Sequence, residues 1–298
     1  MNIKTISNKI KDGGAIIDLD NSKDILKIQN DTIIKIFENH GIILFKNFDL
    51  DPKKLTLFTD KFTSRYSSDA LRRDIRFENK NIRNVDGGNI KVDLHSESSF
   101  NPAWPEIIWF YCNHNDVEGG ETILCDGLIL WENLSLDAKN FFQQNSILYE
   151  LKIPIEKKSK LKGRKQWPMN SLGVIDSFID WDEGALYLKQ IRSGVVESRK
   201  DNSLCFSNHL FIDLSSEPQI LSRKTNSDNE IPENILAEIH RCAQEITLNL
   251  RLEKKDLVML DNKRFMHGRN AFGNSGKRDI VNIQTFKANF AYGSSFRK

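Results

Sequence analysis

The tripeptide His95-Ser96-Glu97 sets an imidazole and a carboxylate two positions apart. In an extended strand, residues i and i+2 point to the same face. The two side chains would then converge on one point, as two ligands of a metal ion must. A third ligand has to come from elsewhere in the chain, and His267 is the candidate. It lies in Asp261-Asn262-Lys263-Arg264-Phe265-Met266-His267-Gly268-Arg269, just after the apolar run 257–260. Two histidines and one carboxylate on one face form the facial triad of non-haem iron(II) oxygenases, with coordination positions left open for a co-substrate and dioxygen. Hard carboxylate and borderline imidazole suit iron(II), whereas thiolate ligands would point towards zinc.

A His-x-Glu triplet is a weak signal alone, and its surroundings strengthen it. Arg278 stands eleven residues beyond His267 and begins the strand pattern 280–286. An always-charged, planar guanidinium at the edge of a barrel is a natural partner for the far end of a dicarboxylate. In Gly119-Gly120-Glu121-Thr122 the glycines permit a tight turn with close backbone approach, and Thr122 can offer a hydroxyl to the same carboxylate. Arg269 follows His267-Gly268 directly; its guanidinium either holds a substrate or co-substrate carboxylate or braces the barrel. Asn262 is placed to orient its loop by side-chain hydrogen bonds. His114, His209 and His240 read as structural or solvent-facing, and Trp104, Trp109 and Phe110 as core.

These groups need a scaffold, and the apolar pattern supplies one. Residues 15–17 and 42–45 read as short strands, with a helix over 31–38 between them that stops at His40-Gly41. Asp51 caps a second helix, with Pro52 at its first position, running to about Phe62. From Leu94 onwards strand signals dominate: 107–112, 122–125, 257–260 and 280–286, the last two joined by the segment that carries His267. The basic stretch 156–165 reads as a loop. Residues 232–250 predict the best helix, with Ile235, Ile239, Cys242 and Ile246 on one face. The class is therefore mainly β with flanking helices (α+β): an antiparallel core, or a barrel of two facing sheets, with a ligand site at its mouth.

Composition narrows the function classes. The 298 residues are enough for a sizeable core, and a net charge of +2 lacks the electrostatic footprint of a nucleic-acid binder. Residues 1–20 lack the apolar centre of a signal peptide, and the longest apolar runs are far too short to span a bilayer. A cytoplasmic protein that takes a small-molecule substrate, with no nucleic-acid or membrane partner, is the expectation, as monomer or homodimer. The four cysteines form no C-x-x-C pair and read as reduced, buried thiols.

The run Leu94-His95-Ser96-Glu97, then residues 105–112, then Gly119-Gly120-Glu121-Thr122 resembles the taurine-dioxygenase and clavaminate-synthase-like group of 2-oxoglutarate-dependent oxygenases. Residues 256–262, Met266-His267-Gly268-Arg269-Asn270-Ala271-Phe272 and Arg278 match that group's closing block, and residues 40–48 resemble its early helix–strand step. Order and spacing agree over roughly residues 30 to 290. The resemblance implies a distorted double-stranded β-helix, or jelly roll, forming one domain over 1–298. Lid-like insertions are expected near 82–93, around Asp86-Gly87-Gly88, and near 157–207. It implies His95, Glu97 and His267 as iron(II) ligands, and Arg278, helped by Thr122, as the clamp on 2-oxoglutarate. Much of the group has Asp where this chain has Glu97; Glu is typical of the clavaminate-synthase-like branch, several of whose members act on amino acids or their derivatives. Related halogenases put a small residue there, so Glu97 disfavours halogenation. The implied reaction is hydroxylation of an unactivated C–H bond by dioxygen, with 2-oxoglutarate converted to succinate and carbon dioxide. Desaturation or oxidative cyclisation from the same cofactors is the alternative, and a catalytically silent jelly-roll binding protein is the alternative of another class.

Overall fold

The computed structural model describes residues 2–18, 24–67, 73–85, 88–157, 160–169, 171–216 and 219–290. Strand β1 (Asn2–Lys4) pairs antiparallel with β2 (Ala15–Asp18). Helix α1 (Asn30–His40) buries Ile33, Ile36 and Phe37, and stops where Gly41 turns left-handed and its N–H bonds the Phe37 carbonyl. Strand β3 (Ile42–Lys46) then returns parallel to β2. Helix α2 (Pro52–Asp60) begins as its sequence predicts: the Asp51 carboxylate accepts from the Lys54 N–H at 2.7 Å, and Pro52 takes the first turn. It ends at Asp60, because strand β4 (Thr63–Tyr66) needs the chain extended.

Strands β5 (Ile75–Arg76), β6 (Asn79–Asn84), β7 (Val92–His95) and β8 (Ile107–Asn115) follow, then β9 (Thr122–Asp126) and helices α3 (Gly127–Asn133) and α4 (Leu136–Gln144). Strands β10 (Ser146–Pro154), β11 (Arg164–Gln166), β12 (Val174–Asp180), β13 (Ala185–Ser193) and β16 (Ile220–Thr225) form a five-stranded antiparallel sheet, with β14 (Val196–Glu197) and β15 (Leu204–Cys205) as a separate ribbon. Helix α5 (Glu233–Ile246), β17 (Leu248–Leu250), β18 (Leu257–Asp261), β19 (Phe265–Arg269) and β20 (Arg278–Ala288) close the order. The molecule is mainly β with few helices.

Two sheets position the candidate site. One is nine-stranded, with β3-β18-β8-β20 at its centre; the other runs β17-β9-β19-β7. Strand β8 explains the unbroken apolar run of its sequence. Its alternate residues Trp109 and Tyr111 pack outward beneath the helices with Phe45 and Phe58, while Ile108, Phe110 and Cys112 face the second sheet with Leu124 and Phe265. Both faces are buried, so both are apolar. A third cluster joins α3, α4 and α5 to the five-stranded sheet, and includes Ile235, Ile239, Cys242 and Ile246. A buried ion pair ties the sheets to the N-terminal segment: Arg264 and Asp126 meet at 2.6 Å with side chains 3% and 0% exposed. Asp126 also accepts from the Leu128 and Lys11 N–H groups, so its charge is fully hydrogen-bonded.

Several expectations need correction. The helix predicted over 232–250 ends at Ile246, because residues 248–250 pair with Leu124, Ile123 and Thr122 and extend the site sheet. Residues 164 and 165, expected as loop, belong to the edge strand β11 (Arg164–Gln166). His267 does not sit in a simple connection between two strands: the segment carries its own strand, β19, in the opposite sheet. Helices α3 and α4 were not anticipated: α3 has seven residues and buries four of them, and α4 buries only Ala138 and Phe142, so neither carries a long apolar period. Of the stretch 82–93, Ile82 to Asn84 belong to β6 and Val92 and Asp93 to β7, while Asp86 and Gly87 lie outside the described residues. The four cysteines are free and buried. Among the described residues no helix is long and apolar enough to cross a membrane.

Candidate active site

His95 ends β7 directly opposite His267 of β19, with ring centroids 4.5 Å apart. Gly268 makes this approach possible: a Cβ there would lie 2.4 Å from the Val92 carbonyl oxygen and 2.9 Å from that of Asp93. Glu97 arrives by a different device from the one its spacing suggested. The strand stops at His95, and Glu97 lies in the turn that follows, where Ser98 adopts φ 56°. Strand alternation therefore does not aim the carboxylate. Asn262 does much of that work, being 0% exposed. Its Oδ1 accepts from the Glu97 N–H at 2.9 Å, and its Nδ2 donates to the Glu97 and Pro105 carbonyls, each at 3.0 Å. Ser96 turns the other way, its hydroxyl donating to the Asn262 carbonyl at 2.6 Å.

One ligand-type atom from each of His95, Glu97 and His267 lies within 4.8 Å of the others, close enough to share one ion. The backbone carbonyl of Asp93 can only accept, so His95 donates to it through Nδ1 at 2.9 Å, which leaves the Nε2 lone pair free for a metal. His267 is buried, and burial, His95 and Arg73 hold its pKa well below the usual imidazole value, so it is neutral as a ligand must be. Its Nδ1 is buried without a hydrogen-bond partner. Burying that polar ring costs free energy, a cost that a metal–nitrogen bond at the ring would offset. The donor set and this unsatisfied ring both fit a divalent ion of the iron(II) type.

Arg278 opens β20 and lines the same pocket as the two histidines, together with Thr122 and Arg269. Its Nε donates to the Gly120 carbonyl at 2.9 Å. Gly120 has φ 68°, and a Cβ on it would press on the Arg278 side chain at 3.1 Å and on Phe272 at 3.2 Å. Burial, then the neighbouring Arg269, pulls the Arg278 pKa down to about 10. Thr122 and Arg269 are opposite one another in the β9–β19 register. Arg269 is 6% exposed, donates to the Ile90 carbonyl at 2.9 Å and lies over the Phe272 ring. It both braces the segment before β7 and faces the pocket.

Arg73 was not anticipated. It lines the pocket and pairs with Glu97 at 3.3 Å. It lies 22 positions before His95, in a polar stretch with no periodicity to single it out. Phe110, expected as core, also walls the pocket, with its ring 5.2 Å from that of His267. Trp109 is core, whereas Trp104 carries Lys263 over its ring. His209 is buried beside His95 and Phe100 but is not among the pocket-lining residues, while His114 pairs with Asp116 near the surface.

The profile of the Taurine catabolism dioxygenase TauD, TfdA family matches residues 3–284. The chain belongs to that family. It is accordingly an enzyme, a 2-oxoglutarate-dependent non-haem iron dioxygenase. No curated protein matches it. Among solved structures, PvcB from Pseudomonas aeruginosa superposes with a TM-score of 0.61 at 14% identity, over 95% of this chain and 91% of that one. AAD-2 in complex with Mn(II) and N-oxalylglycine gives a TM-score of 0.63 at 15% identity, over 98% of each chain. A protein from Burkholderia xenovorans, described as an alpha-ketoglutarate dependent 2,4-D dioxygenase, gives 0.58 at 13% identity, over 95% of this chain and 96% of that one. At these identities the three establish the shared fold.

Replacing Asn262 by alanine removes four hydrogen bonds around the Glu97 turn while leaving every candidate metal ligand in place. Loss of a partner that orients a ligand typically costs roughly 10–100-fold in metal affinity. The expected result is iron(II) binding weakened to that extent, read by equilibrium dialysis. Unchanged affinity in a folded variant would show that Glu97 is held by other contacts.

Proposed function

We propose that this chain hydroxylates an unactivated C–H bond of a small, amino-acid-derived metabolite, converting 2-oxoglutarate to succinate and carbon dioxide. The observation that carries the reading is the convergence of His95, Glu97 and His267 within 4.8 Å in a pocket that also presents Arg278. In this reading the two facing sheets are the walls of a distorted jelly roll in a single domain, and the sheet over residues 157–207 is an insertion that covers its mouth. His95, Glu97 and His267 hold iron(II), which when bound activates dioxygen at the expense of 2-oxoglutarate.

The chain's own side chains do the positioning. Arg278 fixes the distal carboxylate of 2-oxoglutarate by charge-assisted hydrogen bonds, with the Thr122 hydroxyl beside it and Arg269 completing the positive wall. His95 keeps its ring orientation through Asp93, and Glu97 through Asn262. Phe110 and Ile280 make the apolar lining that excludes water from the reacting atoms. The same residues would serve desaturation or ring closure; product mass separates these outcomes, a gain of one oxygen against a loss of two hydrogens.

The test is succinate formation from 2-oxoglutarate under air with added iron(II), across a panel of free amino acids and their simple derivatives. Succinate should rise with at least one panel member, which must gain one oxygen. Succinate that responds to no member would reject the substrate class. No succinate at all, from protein shown to bind iron(II), would leave a silent binding protein on the same barrel.

A further inference from the structure

A second cavity of about 330 Å³ lies apart from the metal pocket, and none of its lining residues is shared with it. Its walls come from five places, four of them Pro102, Trp104 and Glu106 after the Glu97 turn, Ser171 and Leu172 beside β12, Arg192 of β13, and Lys263 in the β18–β19 turn. Phe286 and Lys287 complete it at the far end of β20. The metal pocket reaches Asn282 of that strand, so the two linings stand roughly 13 Å apart along it at about 3.3 Å per residue. This cavity is therefore not the pocket proposed for 2-oxoglutarate.

Its charge is lopsided. Arg192, Lys263 and Lys287 line it against the single carboxylate of Glu106, and that carboxylate already accepts from the Ala288 N–H at 2.7 Å and faces Arg199 at 3.8 Å. Lys287 is exposed to solvent and Arg192 donates to the Asn101 carbonyl, which leaves Lys263 as the poorly satisfied cation of the enclosed wall. Its ammonium sits 3.4 Å above the centre of the Trp104 ring. Of its three N–H donors, one reaches an acceptor among the described residues, the Trp104 carbonyl at 3.4 Å. Burial beside Arg199 and Arg192 pushes its pKa well below the usual lysine value. Packing an ammonium among other cations is costly unless an anion compensates it. A volume of this size suits a small molecule rather than a macromolecule, and Trp104 and Phe286 offer apolar surface beside the charges.

We propose that this cavity is a second ligand site, taking a small-molecule anion whose carboxylate or phosphate group seats between Lys263 and Arg192. The site adjoins the metal ligands through covalent and hydrogen-bonded neighbours. Lys263 follows Asn262 in sequence, and Trp104 Nε1 donates to the Ser96 hydroxyl at 2.8 Å, one residue before Glu97. An occupant thus rests on the two residues that flank the clamp on Glu97.

The experiment is calorimetric titration of protein loaded with Mn(II) and N-oxalylglycine, so that the metal pocket is filled. Inorganic phosphate is the titrant in one arm and benzoate in the other. Saturable one-to-one binding of either is expected, and the preferred titrant identifies the anion as phosphate or carboxylate. Affinity should fall roughly tenfold or more in Lys263→Gln and in Arg192→Gln, the loss of one charge-assisted hydrogen bond. Lys263→Arg, which keeps the charge, should retain binding, as should Lys54→Gln on a remote surface. The same titrations on metal-free protein report on the cavity whatever the fate of the metal-site reading. No saturable binding of either anion below about 10 mM, or equal affinity in wild type and both neutral variants, overturns the proposal.

Discussion

His95→Ala is expected to abolish iron-dependent succinate formation, with a loss on the order of 10³-fold or more. Three protein ligands are the minimum of the facial arrangement, and His95 is the one whose ring is held from behind, through Nδ1 and the Asp93 carbonyl. In the proposed ligand set, removing it takes away a ligand and its built-in orientation together. A bound metal contributes several kcal/mol of charge stabilisation, and each 1.4 kcal/mol is a factor of ten in rate. Alanine also leaves His267 buried with one fewer neighbour that an ion could bridge. The protein should still fold, because His95 contributes the end of a four-residue strand and little of the core. The measurement pairs iron content after dialysis with succinate yield. A variant that holds iron and makes succinate at the wild-type rate would remove His95 from the ligand set.

How much of this was legible beforehand follows from what each residue's role depends on. The strands that carry the site were readable because their apolar runs are short, β-branched and bounded by turn residues, as in residues 107–112 and 257–260. The class, mainly β with helices against it, followed from their number. The pairing of His95 with His267 joins positions far apart in sequence, and order and spacing of flanking motifs indicated it where local pattern could not. Glu97 is the instructive case. The spacing argument assumed a strand; the chain instead turns, and the carboxylate reaches the same place because Asn262 holds its peptide on both sides. Arg73 was invisible for a related reason. Its relation to Glu97 is purely tertiary, and a lone arginine in a polar stretch has no sequence signature. The over-long helix prediction at 232–250 failed where Leu248 and Leu250 could serve helix or strand equally well, and the edge of β9 decided it.

Arg278→Met is expected to raise the KM for 2-oxoglutarate roughly 10²–10³-fold, with a smaller change in kcat at saturation. A bidentate guanidinium–carboxylate contact contributes about 1.5–3 kcal/mol for each charge-assisted hydrogen bond, and methionine keeps the apolar stem while removing both. Arg278→Lys should fall between, since a point charge replaces one arm of a planar fork. The proposed clamp is held from behind: Nε is committed to the Gly120 carbonyl, and Gly120 has no side chain to push the arginine aside. Burial and Arg269 lower the Arg278 pKa to about 10, and a guanidinium so placed keeps its charge through neutral pH, so kcat/KM for 2-oxoglutarate should be level there as far as Arg278 is concerned. Arg269 provides the discriminating control. It faces the same pocket but is tied to the Ile90 carbonyl and the Phe272 ring, so Arg269→Met should raise KM less than Arg278→Met does. If the order of the two variants is reversed, the carboxylate sits on β19 rather than β20, and the clamp belongs to Arg269.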